Sequence, residues 1–346
     1  MSADRRVRVA VLMGGRSSEH EISIASARSV LAELDRERYE AVAVEISRGG
    51  TWSLEAGTPT PELAAAAHPA ASLPVVAGTA PVAEALADVD VVLPVLHGPF
   101  GEDGTVQGLL ELADVPYVGA GVAASALCMD KDLFKAVLRD RGIPVARHLA
   151  IRLGDEIANP FGYPVFVKPA RLGSSVGISK VHDESELAPA VELARRHDEK
   201  VLVEELLEGV EVECGVLGNR RPAPIASVVG EIVPHAEWYD YAAKYDEGGS
   251  DIVVPARIPD EVAARVQELS VEAFVATECE GMARVDFFVT PGGEPVVNEL
   301  NTIPGFTSTS VYARLFEASG IPYAELLDRL IELALERHER RRGLAY

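Results

Sequence analysis

The order of predicted strands and helices constrains the fold of this chain most strongly, and that order changes part of the way along the sequence. In the first third, short apolar runs alternate with helical patterns: strand 9–13, helix 18–34, strand 41–46, helix 82–87 and strand 89–96. Such alternation predicts βαβ units, because parallel neighbours need a crossover connection between them. We therefore expect the chain to begin with a parallel sheet covered by helices.

The rest of the chain is rich in strands. A predicted helix over residues 130–141 ends at Gly142, whose backbone suits the end of a helix, and Pro144 follows. Beyond it the sequence predicts strands at 164–168, 178–181, 201–205, 211–217, 283–289 and 295–300, and helices at 184–196, 260–277 and 324–338. This order predicts α+β structure built from antiparallel hairpins.

A chain of 346 residues exceeds what one hydrophobic core usually supports. We expect three domains: residues 1–125, residues 126–213 and residues 214–346.

Three segments carry local signals of their own. Ser18 and Glu21 have the spacing of a capping box at the start of the first helix. Residues 49–79 have weak periodicity, and we assign them to a surface excursion with one candidate helix at 61–67. A loop over residues 234–251 carries Trp238 and three tyrosines, which favours a functional lid over a disordered segment.

Charge and cysteine content exclude several classes of protein. A formal net charge of −22 repels nucleic acid and anionic membranes, so neither is an expected partner. The apolar stretches are too short to insert into a membrane. Cys128, Cys214 and Cys279 lie far apart in the sequence and predict buried free thiols of a reducing compartment, hence a cytoplasmic protein.

The last predicted hairpin carries a polar cluster. Alternate side chains of a strand share one face, so Glu299 and Asn301 point together, as do Arg284 and Asp286 on the preceding strand. Mg²⁺ prefers such oxygen ligands, with phosphate oxygens completing its shell. The alternative is an ordinary hairpin with polar residues facing solvent.

A second cluster follows a buried strand. Lys168 stands at the strand end, and a Gly/Ser loop over residues 173–177 comes after it, whose backbone N–H groups can wrap phosphate oxygens. The lysine precedes the glycines, so this is not a Walker A loop. Alone the loop could be a plain turn. With Lys168 and the downstream carboxylates it predicts a nucleotide clamp.

Two further segments are weaker candidates. Glu204 ends one strand and Glu211 opens the next, where they could accept from an adenine amino group and a ribose, or simply be solvated. Glu19 and His97 follow two strands of the first sheet, and ligands of open α/β sheets bind at the carboxyl ends of strands. A histidine in that position is also often structural.

Taken in order, these pieces resemble the ATP-grasp ligases and, within them, the D-alanine:D-alanine ligases. The resemblance rests on motifs that run in order from residue 9 to about residue 310, nearly the whole chain. They are Met13-Gly14-Gly15-Arg16-Ser17-Ser18-Glu19-His20-Glu21, Leu96-His97-Gly98, Gly101-Glu102-Asp103-Gly104, Tyr239-Asp240-Tyr241, Lys244-Tyr245 and residues 298–305. Ile303 and Phe306 vary apolar positions of the last motif.

The resemblance implies a Rossmann-like N-terminal domain followed by a two-part ATP-grasp fold, with ATP held between two sheets. It implies phosphate contacts for Lys131, Lys168, Ser174 and Ser175, and adenosine contacts for Glu204, Leu207, Glu211 and Trp238. Asp286, Glu299 and Asn301 would hold two Mg²⁺ or Mn²⁺ ions.

For the substrates, the resemblance implies an acyl phosphate formed from ATP and one D-alanine, which the amine of a second D-alanine attacks. Glu19 would receive the ammonium of the first D-alanine, within a network that includes Ser174 and Tyr245. Arg284 and the Gly305 N–H would stabilise oxyanion charge, Ser310 would bind the second carboxylate, and His97 stands where a partner for the incoming amine is expected.

The lid bears on the second substrate. Similar ligases that make D-alanyl-D-lactate lack the Lys244-Tyr245 pair, so its presence favours an amine, although Tyr245 could also be an apolar plug. The resemblance further implies a homodimer.

Three other functions remain to be weighed. One is an ATP-grasp ligase for a different D-amino acid or D-hydroxy acid. Another is a regulatory protein that binds nucleotide without turnover, which the substrate-side residues Glu19 and Arg284 disfavour. The third, a dinucleotide-dependent oxidoreductase, is disfavoured because residues 14–18 do not supply GxGxxG.

Overall fold

We describe the protein from a computed structural model that covers residues 5–55, 86, 88–234 and 250–345. The predicted helix at 61–67, most of the predicted helix at 82–87 and most of the predicted lid lie outside these described residues. Trp238, Lys244 and Tyr245 are among the residues outside.

The first sheet has four strands in the order β3-β2-β1-β4. Its strands are β1 (Val7–Gly14), β2 (Tyr39–Ile46), β3 (Trp52–Glu55) and β4 (Val91–Pro94). Its helices are α1 (His20–Glu33) and α2 (Thr105–Leu112), and α3 (Val122–Met129) follows in the chain but belongs to a different hydrophobic cluster. Strand β1 pairs in parallel with β2 and β4, which confirms the predicted parallel arrangement. Strand β3 pairs antiparallel with β2 and occupies part of the segment predicted as an irregular excursion.

The predicted capping box at Ser18 and Glu21 is wrong. Helix α1 begins at His20 with Glu19 as its N-cap residue, and the Glu19 side chain makes no capping hydrogen bond. That carboxylate instead accepts a hydrogen bond from the Ser174 hydroxyl, which lies 155 residues away in sequence. A tertiary contact has therefore replaced the local one.

The second sheet is small and wholly antiparallel, in the order β5-β8-β6-β7. It consists of β5 (His148–Ile151), β6 (Val165–Pro169), β7 (Ser179–Val181) and β8 (Val201–Glu205). Helix α4 (Lys131–Asp140) precedes it, and Gly142 beyond that helix has φ +72°, as its predicted position at the helix end requires. Helix α5 (Glu184–Arg195) covers one face with Leu187, Val191 and their neighbours.

The third sheet has five antiparallel strands in the order β11-β10-β9-β12-β13. They are β9 (Val210–Gly218), β10 (Ile225–Pro234), β11 (Ser250–Val253), β12 (Gly281–Val289) and β13 (Pro295–Asn301). Helix α6 (Asp260–Ala276) lies between β11 and β12 in the chain, and helices α7 (Val311–Ala318) and α8 (Tyr323–Arg342) follow β13. The predicted hairpin of β12 and β13 is confirmed.

The first and third sheets share one hydrophobic core through the last helix. Leu326, Leu327 and Leu330 of α8 belong to the same buried cluster as Val9 and Leu93 of the first sheet. Placement of α8 therefore fixes the position of the first sheet relative to the carboxyl-terminal part of the chain.

All three cysteines are buried free thiols, as predicted. Within the described ranges, no helix is long and apolar enough to cross a membrane.

Candidate active site

Two cavities meet at the side chain of Glu299. The first, of about 410 Å³, lies between the second and third sheets. The second, of about 580 Å³, lies among the first sheet, β13 and the segment before α7. Ser175 lines the first cavity and its neighbour Ser174 lines the second, while Glu299 lines both. The arrangement gives adjacent compartments with a common boundary.

The first cavity collects the predicted nucleotide residues within the described ranges except Ser174, which lines the second cavity. Its lining includes Lys131, Lys168, Ser175, Glu204, Leu207 and Glu211. Lys168 is the last residue but one of strand β6, and Lys131 is the first residue of α4. The Lys131 Nζ donates to the Leu172 carbonyl at 3.0 Å and lies 3.2 Å from Glu299 Oε2. Ammonium groups at the cavity wall suit a phosphate-bearing ligand.

Glu204 is held by two lysines. Lys168 Nζ donates to Glu204 Oε1 at 2.6 Å, and Lys135 Nζ donates to Glu204 Oε2. Burial raises the pKa of Glu204, but the charges of Lys135 and Lys168 outweigh it and set the pKa at about 2. The carboxylate is therefore ionised and faces lysines, while its predicted contact with adenosine stays a prediction. Sequence reasoning missed Lys135, although it follows Lys131 by one helical turn.

The Gly/Ser loop lies between β6 and β7 of the second sheet and contacts Glu19 beside the first sheet. Ser174 and Ser175 have φ of 53° and 57°, in the left-handed region that serine seldom adopts. With this backbone conformation the Ser174 hydroxyl donates a hydrogen bond to Glu19 Oε1. A non-glycine residue keeps a left-handed conformation only where the surrounding structure stabilises it. Gly98 (φ +74°) allows the Glu19 carboxylate to lie close to the backbone, because a Cβ at that position would lie 2.6 Å from Glu19 Oε2.

The carboxylate hairpin is organised by Arg284. Its Nε and second terminal nitrogen donate to the two oxygens of Asp286, each at 2.7 Å, and Nε also lies 2.9 Å from Glu213 Oε2. Burial lowers the pKa of Arg284, but Asp286 and Glu213 outweigh it and hold that pKa well above its usual value. Sequence reasoning missed Glu213, which pairs with Asp286 across β9 and β12.

The donor set on this hairpin fits a hard cation. Asp286 and Glu299 are paired in register, and Asn301 Nδ2 donates to Asp286 Oδ2 at 2.9 Å, which leaves the amide oxygen as a ligand. Each oxygen of the Asp286 carboxylate can accept a further bond besides the one from Arg284. Mg²⁺ prefers such oxygen ligands. In the part of the chain that the structure describes, no group of three His, Cys, Asp or Glu residues forms a metal cluster.

The second cavity collects the predicted substrate residues that lie within the described ranges. Its lining includes Glu19, His97, Ser174, Arg284, Gly305 and Ser310, together with Asn301. Ser310 directly precedes α7, and its Oγ accepts from the Thr307 N–H at 3.0 Å. The structure therefore brings together side chains from the first and third sheets and from the Gly/Ser loop.

His97 is buried and has polar contacts on both ring nitrogens. Nδ1 lies 3.0 Å from the Ile303 carbonyl, and Nε2 lies 3.1 Å from Ser26 Oγ. Burial lowers the pKa of His97, but the carboxylate of Glu102, 3.7 Å from Nδ1, and the charge of Glu19 outweigh it, so the pKa is raised. Glu102 was part of a motif noted in the sequence, but no role was assigned to it there.

The protein belongs to the ATP-grasp ligases by its fold and site, because two antiparallel sheets enclose a lysine-lined cavity next to a hairpin that carries carboxylates. Comparisons with known proteins narrow that class. The family models "D-ala D-ala ligase N-terminus" and "D-ala D-ala ligase C-terminus" match residues 8–120 and 137–332. The chain belongs to the D-alanine–D-alanine ligase family.

Individual relatives agree with this assignment. A D-alanine–D-alanine ligase of Solibacter usitatus is 50% identical, over 97% of this chain and 98% of the relative. The crystal structure of VanG D-Ala:D-Ser ligase from Enterococcus faecalis is similar with a TM-score of 0.84 and 39% identity, covering 95% of this chain and 100% of that one. A D-alanine–D-alanine ligase from Bacillus anthracis complexed with ATP is similar with a TM-score of 0.78 and 29% identity, covering 97% and 99%.

Proposed function

We propose that this protein joins two D-alanine molecules to D-alanyl-D-alanine at the expense of ATP, for peptidoglycan precursor synthesis. The observation that carries the proposal is the meeting of two cavities at Glu299, one lined by lysines and the other by Glu19, Arg284 and Ser310. A phosphoryl donor and its acceptor can thus lie side by side.

ATP occupies the first cavity in this proposal. Lys131, Lys168 and the loop at Ser174 and Ser175 contact its phosphates, whose negative charge the two ammonium groups offset. Glu204, Leu207 and Glu211 surround adenosine, together with Trp238 from outside the described residues. The similarity to a relative complexed with ATP supports this assignment.

The first D-alanine binds in the second cavity with its ammonium on Glu19. Its carboxylate oxygen attacks the γ-phosphorus of ATP, the bond to the β-phosphate oxygen breaks, and ADP and an acyl phosphate result. The second D-alanine, its carboxylate on Ser310, attacks the acyl carbon through its deprotonated amine, and inorganic phosphate leaves. Arg284 and the Gly305 N–H stabilise the charge on the carbonyl oxygen, and His97 assists the incoming amine.

Asp286, Glu299 and Asn301 would hold two Mg²⁺ or Mn²⁺ ions. When bound, such ions neutralise charge on the phosphate oxygens and make the phosphorus a better electrophile. Arg284 holds the Asp286 carboxylate in place through two hydrogen bonds.

A second candidate is a ligase that takes another D-amino acid or a D-hydroxy acid as the second substrate. The similarity to VanG D-Ala:D-Ser ligase favours D-serine among these alternatives. Lys244 and Tyr245, outside the described residues, favour an amine over a hydroxy acid.

Four further features belong to the proposal. They are domain boundaries after residues 125 and 213, a cytoplasmic location, a lid and a homodimer.

The deciding experiment is a product assay with purified protein, ATP, Mg²⁺ and D-alanine, in which phosphate release and dipeptide are measured together. We expect stoichiometric phosphate and D-alanyl-D-alanine. Parallel reactions contain D-serine or D-lactate in competition with D-alanine, across a range of pH. Mixed product dominated by D-alanyl-D-serine would favour the second candidate, and nucleotide binding without any product would contradict both.

A further inference from the structure

Lys135 is a buried lysine that lines neither of the two main cavities. Its side chain is 0% exposed, and it lies on α4 one turn beyond Lys131. Its ammonium donates to Glu204 Oε2, whereas Lys168 donates to Glu204 Oε1. Lys168 and Glu204 line the nucleotide cavity, so Lys135 stands behind the carboxylate and away from any ligand.

The charges of these three residues decide what Lys168 can do. With Lys168 alone, Glu204 would form a neutral buried pair, and a phosphate would compete with that carboxylate for the single ammonium. A second ammonium on the other oxygen changes this balance. Two lysines around one carboxylate leave one net positive charge at the cavity wall.

We propose that Lys135 is a positioning residue for ATP: it holds the Glu204 carboxylate from behind and so leaves Lys168 able to bind a phosphate oxygen. The inference rests on the proposed function, in which the first cavity takes ATP. It adds a residue that touches neither ATP nor D-alanine, and that acts through Glu204.

The electrostatics agree with a lysine kept in place for its charge. Burial lowers the pKa of Lys135 to about 8, the charge of Glu204 opposes that shift, and the charges of Lys168 and Lys131 add to it. A buried ammonium among other ammonium groups is costly. An apolar side chain would avoid that cost, so packing alone does not account for lysine here.

The test is a double-mutant cycle with ATP binding measured by calorimetry, in the absence of D-alanine. Lys135→Met should weaken ATP binding about tenfold or more, because Glu204 then engages Lys168 fully. Replacing Glu204 as well, in Lys135→Met/Glu204→Gln, should restore ATP affinity to near that of Glu204→Gln alone, because a neutral amide does not compete for Lys168.

A matched control is Lys200→Met. Lys200 is also buried and paired with carboxylates, at 2.6 Å from Asp130 Oδ1 and 3.2 Å from Asp132 Oδ2, but it does not line the nucleotide cavity. It should lower the melting temperature and leave ATP affinity within about twofold.

Unchanged ATP affinity in Lys135→Met overturns the inference. If that variant does not fold, Lys135→Gln, which also removes the charge, takes its place: weakened ATP binding supports the inference and unchanged binding overturns it. A loss of affinity in Lys135→Met/Glu204→Gln beyond that of Glu204→Gln also overturns it, because Lys135 would then act independently of Glu204. Wild-type protein that binds ATP without forming dipeptide contradicts the proposed function only. Wild-type protein that forms dipeptide while Lys135→Met binds ATP normally contradicts the inference only, and wild-type protein that binds no ATP contradicts both.

Discussion

At the scale of residues, two side chains join compartments that belong to different sheets. Glu299 lines both cavities and lies 3.2 Å from the Lys131 ammonium. The Ser174 hydroxyl donates to Glu19 and so connects the second sheet to the first. Changes at these two positions should therefore affect different substrates.

Glu299→Gln should reduce dipeptide formation by about 100-fold or more, because the amide loses the charge proposed to hold a cation. Its shape is retained, so the melting temperature should change little. Turnover of ATP with D-alanine and thermal unfolding are the measurements. Glu294→Gln, exposed in the turn of the same hairpin, is the control and should behave as wild type. Normal turnover of Glu299→Gln would remove Glu299 from the metal site.

Ser174→Ala should raise the KM for the first D-alanine about tenfold, because Glu19 loses a hydrogen bond to its charged oxygen. The KM for ATP should change less. Ser175→Ala is the comparison, since Ser175 lines the nucleotide cavity and should alter the KM for ATP instead. Initial rates over both substrates separate these effects. Identical changes in the two variants would contradict distinct roles for the two serines.

At the scale of elements, helix α4 carries Lys131, which lines the nucleotide cavity, and the helix begins at a buried cap residue, Asp130. The Asp130 side chain accepts from the Leu133 N–H at 3.2 Å and from Lys200 Nζ at 2.6 Å. The start of the helix is thereby fixed to Lys200, which directly precedes strand β8. This connection contributes to the stability of the helix.

Asp130→Ala should lower the free energy of unfolding by about 3 kcal/mol, because the helix loses its cap and Lys200 loses a buried partner. Asp183→Ala is a matched change, since Asp183 caps α5 in the same way but is exposed. Denaturant unfolding of both variants is the measurement. A loss in Asp130→Ala no larger than in Asp183→Ala would show that the pair with Lys200 contributes nothing.

At the scale of the whole molecule, helix α8 joins the end of the chain to its beginning. Besides its leucines, it carries Arg337, which is 3% exposed and packs over the Tyr117 ring at 4.3 Å. The Arg337 guanidinium donates to the Tyr117 carbonyl at 2.6 Å and to the Gly119 carbonyl. The second cavity, which needs residues from both ends, depends on this contact.

Arg337→Met should destabilise the protein by about 3 kcal/mol, since two buried carbonyls lose their donor. Arg329→Ala on the same helix should cost less than about 0.5 kcal/mol, because its pair with Glu325 is exposed to water. Thermal unfolding at equal protein concentration compares the two. Equal melting temperatures would mean that Arg337 does not hold the two ends together.

The pattern of the sequence was sufficient for the main elements of the three sheets. Periodicity predicted the parallel first sheet, and the alternation of Arg284 with Asp286 and of Glu299 with Asn301 predicted a polar hairpin face. Strands β3, β5, β10 and β11 and helices α2, α3 and α7 were not predicted. Their apolar runs are short or lack a distinct period, and such segments need tertiary contacts to select a conformation.

By itself the sequence determined which chemistry was available, because the residue types of the motifs and their order along the chain do not depend on the fold. Only the tertiary structure decided how those charges are shared. Glu204 lines the nucleotide cavity but pairs with Lys135 and Lys168, and Glu19 accepts a hydrogen bond from Ser174 instead of capping its own helix. The physical reason is burial: a buried carboxylate must find its partners nearby in space, and these lie 36 to 155 residues away.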